Sequence, residues 1–526
     1  MRNTILTFLL AVCLCSASPV WAQFTAAGTI VGTVTDPSNA VIGAAQITLT
    51  DAATGNKRVA TSNETGHYTF TDVTPGHYKV LVAKDGFATA ETTVTVTVGV
   101  TRSMNFVLQV GAANTVVEVQ STANELQTTN ATIGNEISGV ALDSLPSLNR
   151  DVSTFVELQP GVSPDGSVAG TMVDQSSFQL DGGNNTNDMD GSMSVYTTTF
   201  AGDPTGGVAN GSLFAAAGPT GVMPTPADSV EEFKVNTAGQ TADFNSSSGA
   251  QVQMVTRRGG NAWHGSAYEY YLDNKWSANT WDNNFNGVAV PNWHRSRFGF
   301  RVGGPLLPKM LGGKTYIFVN YEGYRWPDSE TITKAVPSAA MRLGLLTFGN
   351  TTYNLNNAPV TYNGVTYAAN ANCNLISGSG TCDPLGIGIN PTVQSMWNTY
   401  MPLPNVSSPG SCGPRCDGVN VLGFSANLAI PQNSNFGVAR IDHDFGDKWH
   451  FNSSYRYFKL TAATDDQIDI GGFFKGDKLG VPASQSSDPQ TPWYYVAGLT
   501  TNISSNFTND FHYSFLRNWW RAGAVR

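Results

Sequence analysis

Between residues 29 and 108 apolar and polar positions alternate, the two-residue period of strands that bury one face. Ile30/Val34, Ile47/Leu49, Tyr68/Phe70, Tyr78/Val80/Val82, Val94/Val96/Val98 and Met104/Phe106/Leu108 carry the pattern. Asp36-Pro37-Ser38-Asn39, Thr54-Gly55-Asn56, Glu64-Thr65-Gly66 and Thr74-Pro75-Gly76 punctuate it with turn residues. About seven short strands in so brief a stretch predict a small antiparallel sandwich. The period then lengthens. In residues 142–161, Val152, Phe155 and Val156 fall at helical spacing, with Asn149 as the cap and Pro160-Gly161 as the stop. A second capped helix is predicted from Pro226 and Asp228 through PADSVEEFKV, and Phe178-Gln179-Leu180 reads as a strand entering a Gly/Asn turn.

From Asn261 onward alternation returns with many aromatics. Seven segments qualify as strands: 263–272, 295–304, 315–324, 435–443, 449–458, 493–501 and 507–516. Their connections run long, short, long, short, long, short, which is the rhythm of outer-membrane barrels and has no counterpart in a soluble sandwich. Trp263, Tyr268, Tyr270, Tyr271, Tyr321, Tyr324, Trp326, Tyr455, Tyr457, Trp493, Tyr494, Tyr495, Trp519 and Trp520 are placed for interfacial girdles. Seven strands cannot close such a barrel, since bacterial barrels use even numbers. The expectation is an N-terminal part of a longer protein.

Composition narrows the function. Of 526 residues only 13% are charged, the net charge is -10, and no basic block occurs, which argues against nucleic acid as a partner. Beyond the N-terminus no apolar run is long enough for a membrane helix, although barrel strands need none. Residues 1–22 combine Arg2, a short apolar core and Val20-Trp21-Ala22, and read as a secretory signal peptide. Outside that segment the cysteines are Cys373, Cys382, Cys412 and Cys416, all in one connection; in an exported chain they are disulfide candidates, with the pairing left open.

Catalytic and metal motifs fail on spacing. There is no His-Glu-x-x-His pair and no Gly-x-Ser-x-Gly elbow. In an EF-hand register, residues 184–191 place Thr186 first and Thr197 where the bidentate Glu belongs, so a polar loop is the better reading. Gly312-Gly313-Lys314-Thr315 lacks the first glycine of a phosphate loop, and Asp442-His443-Asp444 sits where a strand enters a tight turn. No catalytic residue, metal or cofactor is expected.

Several stretches are familiar as words. GTIVGTVTDPSNAVIGAAQITLT and SNETGHYTFTDVTPGHYKVLVAKDGF resemble the carboxypeptidase regulatory-like domain. LPSLNRDVSTFVELQPGV, SVEEFKVNTAGQTADFNSSSGAQVQMVTRRGGNAWHGSAYEY, RFGFRVGGPLLPKMLGGKTYIFVNYEGYR and FGVARIDHDFGDKWHFNSSYRYF resemble the plug and first hairpins of Oar-like TonB-dependent transporters. The resemblance implies a mainly β chain: signal peptide 1–22, immunoglobulin- or transthyretin-like sandwich 23–110, linker 111–125, small α+β plug 126–258, and the first strands of an incomplete barrel 259–526. It implies an outer-membrane transporter for an unidentified bulky ligand, not an enzyme. Its partners would be a TonB-type energy-transducing complex, membrane lipid and the barrel assembly machinery. Thr115, Val116, Val117, Glu118 and Val119 resemble the box that couples to TonB by strand addition, and Asp181, Asn184 and Asn187 would offer ligand contacts on the plug loop. The alternative is a secreted or surface β-rich adhesion or carbohydrate-binding protein.

Overall fold

The computed structural model describes residues 27–111, 116–118, 131–145, 150–163, 167–171, 175–186, 222–239, 248–285, 287–306, 314–377, 382, 389–446, 448–504, 507–519, 521 and 523–524. The signal-peptide segment lies outside them.

The first unit is a sandwich of two sheets. Strands β1 (Gly28–Thr35), β4 (His67–Val73) and β7 (Thr101–Ser103) form one, with β8 (Phe106–Val107) also on β1. Strands β2 (Gln46–Asp51), β3 (Lys57–Thr61), β5 (Gly76–Ala83), β6 (Thr89–Val96) and β9 (Val116–Glu118) form the other, in the order β3-β2-β5-β6-β9. Burial alternates strictly along β1, and Ile30, Val34, Ile47, Leu49, Tyr68 and Val80 meet in the core. The turns obey their chemistry. Asp36 Oδ1 accepts from the amides of Ser38 and Ala40, and Asn63 Oδ1 from those of Thr65 and His67. Gly32 is required by contact, because a Cβ there would collide with the Met104 carbonyl.

The second unit is a five-stranded sheet in the order β10 (Ile133–Ser138), β13 (Val230–Ala238), β14 (Gln251–Thr256), β11 (Ser177–Leu180), β12 (Gly183–Asn184). A short α-helix, Gly139–Ser144, and a 3-10 helix, Val152–Leu158, pack on it, and Val152, Phe155 and Val156 are buried. Asn149, the expected cap, lies outside the described residues. The helix expected from Pro226 is not formed. One 3-10 turn, Ala227–Ser229, leads directly into β13, a central strand paired on both sides. Val230 and Phe233 mimic helical spacing, but both faces of β13 are covered, so its pattern carries no period-2 signal.

The third unit holds all seven strands read from the sequence: β15 (His264–Asp273), β16 (His294–Pro305), β17 (Lys314–Trp326), β25 (Gln432–Phe445), β26 (Trp449–Gly471), β28 (Trp493–Ser504) and β29 (Phe507–Arg517). They pair antiparallel in chain order. The described strands do not join into a closed barrel, because β15 and β29 are not paired with each other. At the long-loop end a second layer branches off. There β18 (Ser329–Pro337) pairs with β24 (Val421–Ala429), which meets β27 (Leu479–Ser487) on the upper part of β26. Two hairpins, β19 (Leu345–Phe348) with β20 (Thr351–Asn354) and β21 (Val360–Tyr362) with β22 (Val365–Tyr367), complete the loop region with β23 (Ser411–Pro414), while β30 (Gly523–Ala524) pairs with β27.

Alternation in the large sheet separates two surroundings. Along β25, Phe436, Val438, Arg440 and Asp442 are buried while Ala439 and Ile441 are exposed. The inner row joins Phe178, Leu180, Phe233, Val252 and Met254 of the second unit in one continuous core. The outer row is apolar and open: Phe300, Ile441, Tyr455, Tyr457, Phe511, Tyr513 and Phe515 are all exposed. Five of the aromatics expected in girdles face inward instead. Tyr268 donates to Glu322, Tyr270 lies beneath Arg150, Tyr324 and Trp326 are buried, and Tyr494 donates to the Leu180 carbonyl. Tyr268 and Tyr494 use their hydroxyls in the interior, and composition could not distinguish inward from interfacial positions.

The outer row predicts a lipid dependence. Phe300→Arg, near the middle of β16, is expected to lower stability in lipid vesicles by about 2–4 kcal/mol in urea titrations, whereas Phe300→Leu has little effect. An unchanged midpoint for the arginine variant would show that this face does not meet hydrocarbon.

Candidate functional site

The sequence singles out two places, the coupling segment and the loop after β11. Of the coupling residues, Val116, Val117 and Glu118 form β9, while Thr115 and Val119 lie outside the described residues. The backbone of β9 pairs in parallel with β6, in the register Thr89↔Val116, Ala90↔Val117, Glu91↔Glu118. It is thus an edge strand of the sandwich.

Asp181 is placed differently from a ligand contact on an outward loop. It is buried in a left-handed conformation, φ 52°, at the turn after β11. Its Oδ1 accepts the Thr256 amide at 2.7 Å, and its Oδ2 accepts the hydroxyls of Ser454, at 2.7 Å, and Thr256. Arg440 and Arg456 approach it at 3.7 and 4.0 Å from β25 and β26. Arg440 also donates to the Thr256 carbonyl and chelates Asp442, which removes Asp442 from any metal site. His443 turns to the opposite face and meets Thr315. Burial works to raise the Asp181 carboxyl, but Arg456 and Arg440 outweigh it and hold the group below the usual carboxylate range. Asp181 is therefore an ionic latch between the second unit and the wall. Asn184 is exposed and closes its own turn by accepting the Thr186 amide, and Asn187 lies outside the described residues.

Two further networks tie the second unit to the wall. Arg150 pairs with Asp228 at 2.8 Å and lies over the Tyr270 ring, while Arg301 and Arg257 share Asp143. Arg297 pairs with Glu322 at 2.5 Å inside the sheet. Sequence reasoning missed these residues. The available signal was cations at alternate positions of aromatic strands, as in RSRFGFR, which cannot face lipid.

The sandwich is fastened at the short-turn end. Arg258 donates to Asp51, Thr74 and the Pro75 carbonyl, and Lys314 to the Thr54 carbonyl. The Val98 amide donates to Glu232 Oε1 at 3.0 Å, and Lys234 to the Gly99 carbonyl. Burial pushes Glu232 up to about 8, and its bond to the Val98 amide offsets this only in part. Near the same boundary Asp72, Asp510 and His512 bring donor atoms within 4.8 Å of one another. Protein groups engage them, since Asp510 pairs with His512 and Asp72 accepts the Thr500 hydroxyl. At the opposite end the structure joins Cys373 to Cys382 and Cys412 to Cys416.

An open sheet with an apolar outer face and a packed inner unit defines a class, and comparison with known proteins agrees. Residues 255–524 match the outer membrane beta barrel domain, so the chain belongs to that family, and residues 29–109 match the carboxypeptidase regulatory-like domain. Among curated proteins the chain is similar to the TonB-dependent transporter Oar of Myxococcus xanthus, 22% identical over 307 residues. That alignment covers 55% of this chain and 26% of Oar, so the chain spans about a quarter of the curated relative. Among solved structures it is similar to the ferric enterobactin receptor PfeA of Pseudomonas aeruginosa, in complex with enterobactin, at 10% identity and a TM-score of 0.37. The overlap is 73% of this chain and 41% of that one. Catechol 1,2-dioxygenase of Acinetobacter radioresistens overlaps 17% of the chain with a TM-score of 0.14.

Two substitutions test the fastenings. Asp181→Asn leaves the buried Arg456 guanidinium without its carboxylate, while Arg440 keeps Asp442, and is expected to cost about 3–5 kcal/mol in chemical unfolding. Because the native Asp181 is held low, its contribution is present above its unfolded value and lost as pH falls through the native one. Glu232 has the opposite sign. Its native value lies above the unfolded one, so stability declines as pH rises from about 4.5 to about 8, by about 1.4 kcal/mol per unit across that window. Glu232→Gln should flatten that slope in thermal scans while keeping an acceptor for the Val98 amide.

Proposed function

We propose that the chain is the N-terminal part of a TonB-dependent outer-membrane transporter, exported by the signal peptide 1–22. In this reading 23–110 is a periplasmic regulatory-like domain, 111–125 carries the coupling segment, 126–258 is the plug and 259–526 begins the barrel. The observation that supports it most is the continuous core shared by the second unit and the inner face of the barrel sheet. A free-standing domain would keep a core of its own, whereas a plug completes the wall from inside. Family membership supports the outer-membrane location, and Oar supports TonB as the partner.

Cargo would bind at the long-loop end, which carries both disulfides, and energy would enter at the short-turn end. A strand of the inner-membrane motor would pair with β9, an interaction that reads backbone rather than side chains. The pull would pass to the plug and be resisted by the Asp181 latch. No covalent chemistry is involved, and assembly of the wall would fall to the barrel assembly machinery. The exposed outer row weighs against a secreted adhesion protein, for which so much apolar surface would be an aggregation hazard.

Coupling can be read directly. A Val117→Cys variant is expected to form a disulfide with cysteines placed in the pairing strand of TonB's periplasmic domain, and Val117→Pro, which cannot donate to a ladder, is expected to abolish energised uptake. If no cross-link forms anywhere across residues 115–119, the coupling segment lies elsewhere.

A further inference from the structure

At the long-loop end a cavity of about 910 Å³ opens between the segment 280–295, the start of β18 and the segment 406–411, within the range of small-ligand sites. Its walls come from separate parts of the chain and are tied together. Asn283 on the short helix Trp281–Phe285 donates to Thr331 of β18, Ser329 donates to the Asn292 carbonyl, and Asn427 of β24 to the Ala289 carbonyl. The cavity is thus built by hydrogen bonds between its walls, not by loops that merely lie near one another.

Two kinds of group line it. The aromatics are Trp281, Phe285, Trp293 and Trp326. Trp281 and Phe285 stack with centroids 5.1 Å apart and an interplanar angle of 12°, yet are 73% and 66% exposed, an apolar platform offered to the opening. The charged groups are Asp282, Asp328 and Glu330 against a single cation, Arg295, whose guanidinium is stacked 4.0 Å from the Trp326 ring. Beyond the lining, Asp465 adds to the negative charge felt by Glu330 and Lys334 offsets it. Glu330 Oε1 has no hydrogen-bond partner. Burial pushes Asp328 up to about 6; burial, with Asp465 and Asp328 behind it, pushes Glu330 up to about 7. The lining therefore carries more carboxylates than cations, and a cation bound beside Asp328 and Glu330 would favour their ionised forms.

We propose that this cavity binds an organic cation, an ammonium or guanidinium group such as the basic side chain of a peptide, between the carboxylates of Asp328 and Glu330 and the rings of Trp281 and Phe285. An aromatic face attracts such a cation through its quadrupole, and a carboxylate pairs with it. A bare metal ion needs ligand atoms that converge, and among the described residues the carboxylates of this cavity do not, the one such group being Asp72, Asp510 and His512 elsewhere. A neutral sugar could stack on the platform but would leave the excess charge in place. The proposal rests on the transporter reading only in making this end the outward one.

Calorimetric titration of the detergent-solubilised chain with acetylated tri-arginine amide, and separately with maltohexaose, tests it. The peptide is expected to bind and maltohexaose not to. The double variant Asp328→Asn/Glu330→Gln should weaken the peptide at least tenfold, and Trp281→Ala, an exposed change that does not endanger folding, several-fold. Binding should tighten at least threefold between pH 6 and pH 8 as Glu330 sheds its proton. Binding of maltohexaose in place of the peptide, peptide binding indifferent to all three substitutions, or no binding of either would overturn the proposal. None of these measurements involves TonB, so failure here leaves the coupling experiment to judge the transporter reading separately.

Discussion

A sheet with lipid on one side and protein on the other must satisfy its backbone within itself and give its two faces opposite chemistry. Everything in the lower half of this molecule follows from how the inner face is covered. The second unit has no separate core: Phe178, Phe233 and Met254 pack with Phe318, Phe436 and Tyr494 of the wall. Apolar contact alone is non-directional and would allow the unit to slide. Register comes from the ionic and hydrogen-bonded groups set within that core, Asp181 with Arg440 and Arg456 foremost. Buried pairs of this sort add little net stability over an apolar packing, but removing one partner is costly, which makes them suited to fixing position.

The sandwich solves a different problem at the base. Its contacts with the rest of the chain are polar: Arg258, Lys314, Glu232 and Lys234 carry much of the fastening, with Asn261, Tyr316 and Thr500 beside them. Such an interface holds a domain in place without merging cores. The edge that β9 occupies belongs to this same domain, so the segment proposed to meet the motor is attached to a part held by polar contacts, not by a shared core.

Where one face of a strand met water or lipid, the sequence could be read. All seven barrel strands were legible, as was the sandwich, because period-2 alternation records two unlike surroundings. Strand β13 was not, because protein covers both its faces, and Glu232 and Lys234 are buried beside Val230 and Phe233. The second layer of β18, β24 and β27 was hidden for another reason. SETITKAVP and LGVPASQSS carry too few large apolar residues to register as strands; the first forms by pairing with β24, remote in sequence, and the second by folding back on the end of β26. Asp181 was read as part of a polar loop from its turn motif alone; Thr256 lies 75 positions away and Ser454 273, with Arg440 and Arg456 equally remote, and it is these partners that bury it.

Strand β26 runs unbroken for 23 residues and serves as a depth gauge. Its outward positions read Trp449, Phe451, Ser453, Tyr455, Tyr457 and then Lys459 and Thr461. Between Trp449 and Tyr457 the chain climbs about 27 Å along the strand axis, a little more than the roughly 25 Å apolar band of such walls before tilt is allowed for. Tyr457 stands level with Trp493 on one neighbour and Gly437 on the other, which in turn faces Tyr321. That ring of residues closes the aromatic stretch of the outer face, and the remainder of β26 above it is a mast rigged to the second layer by β27.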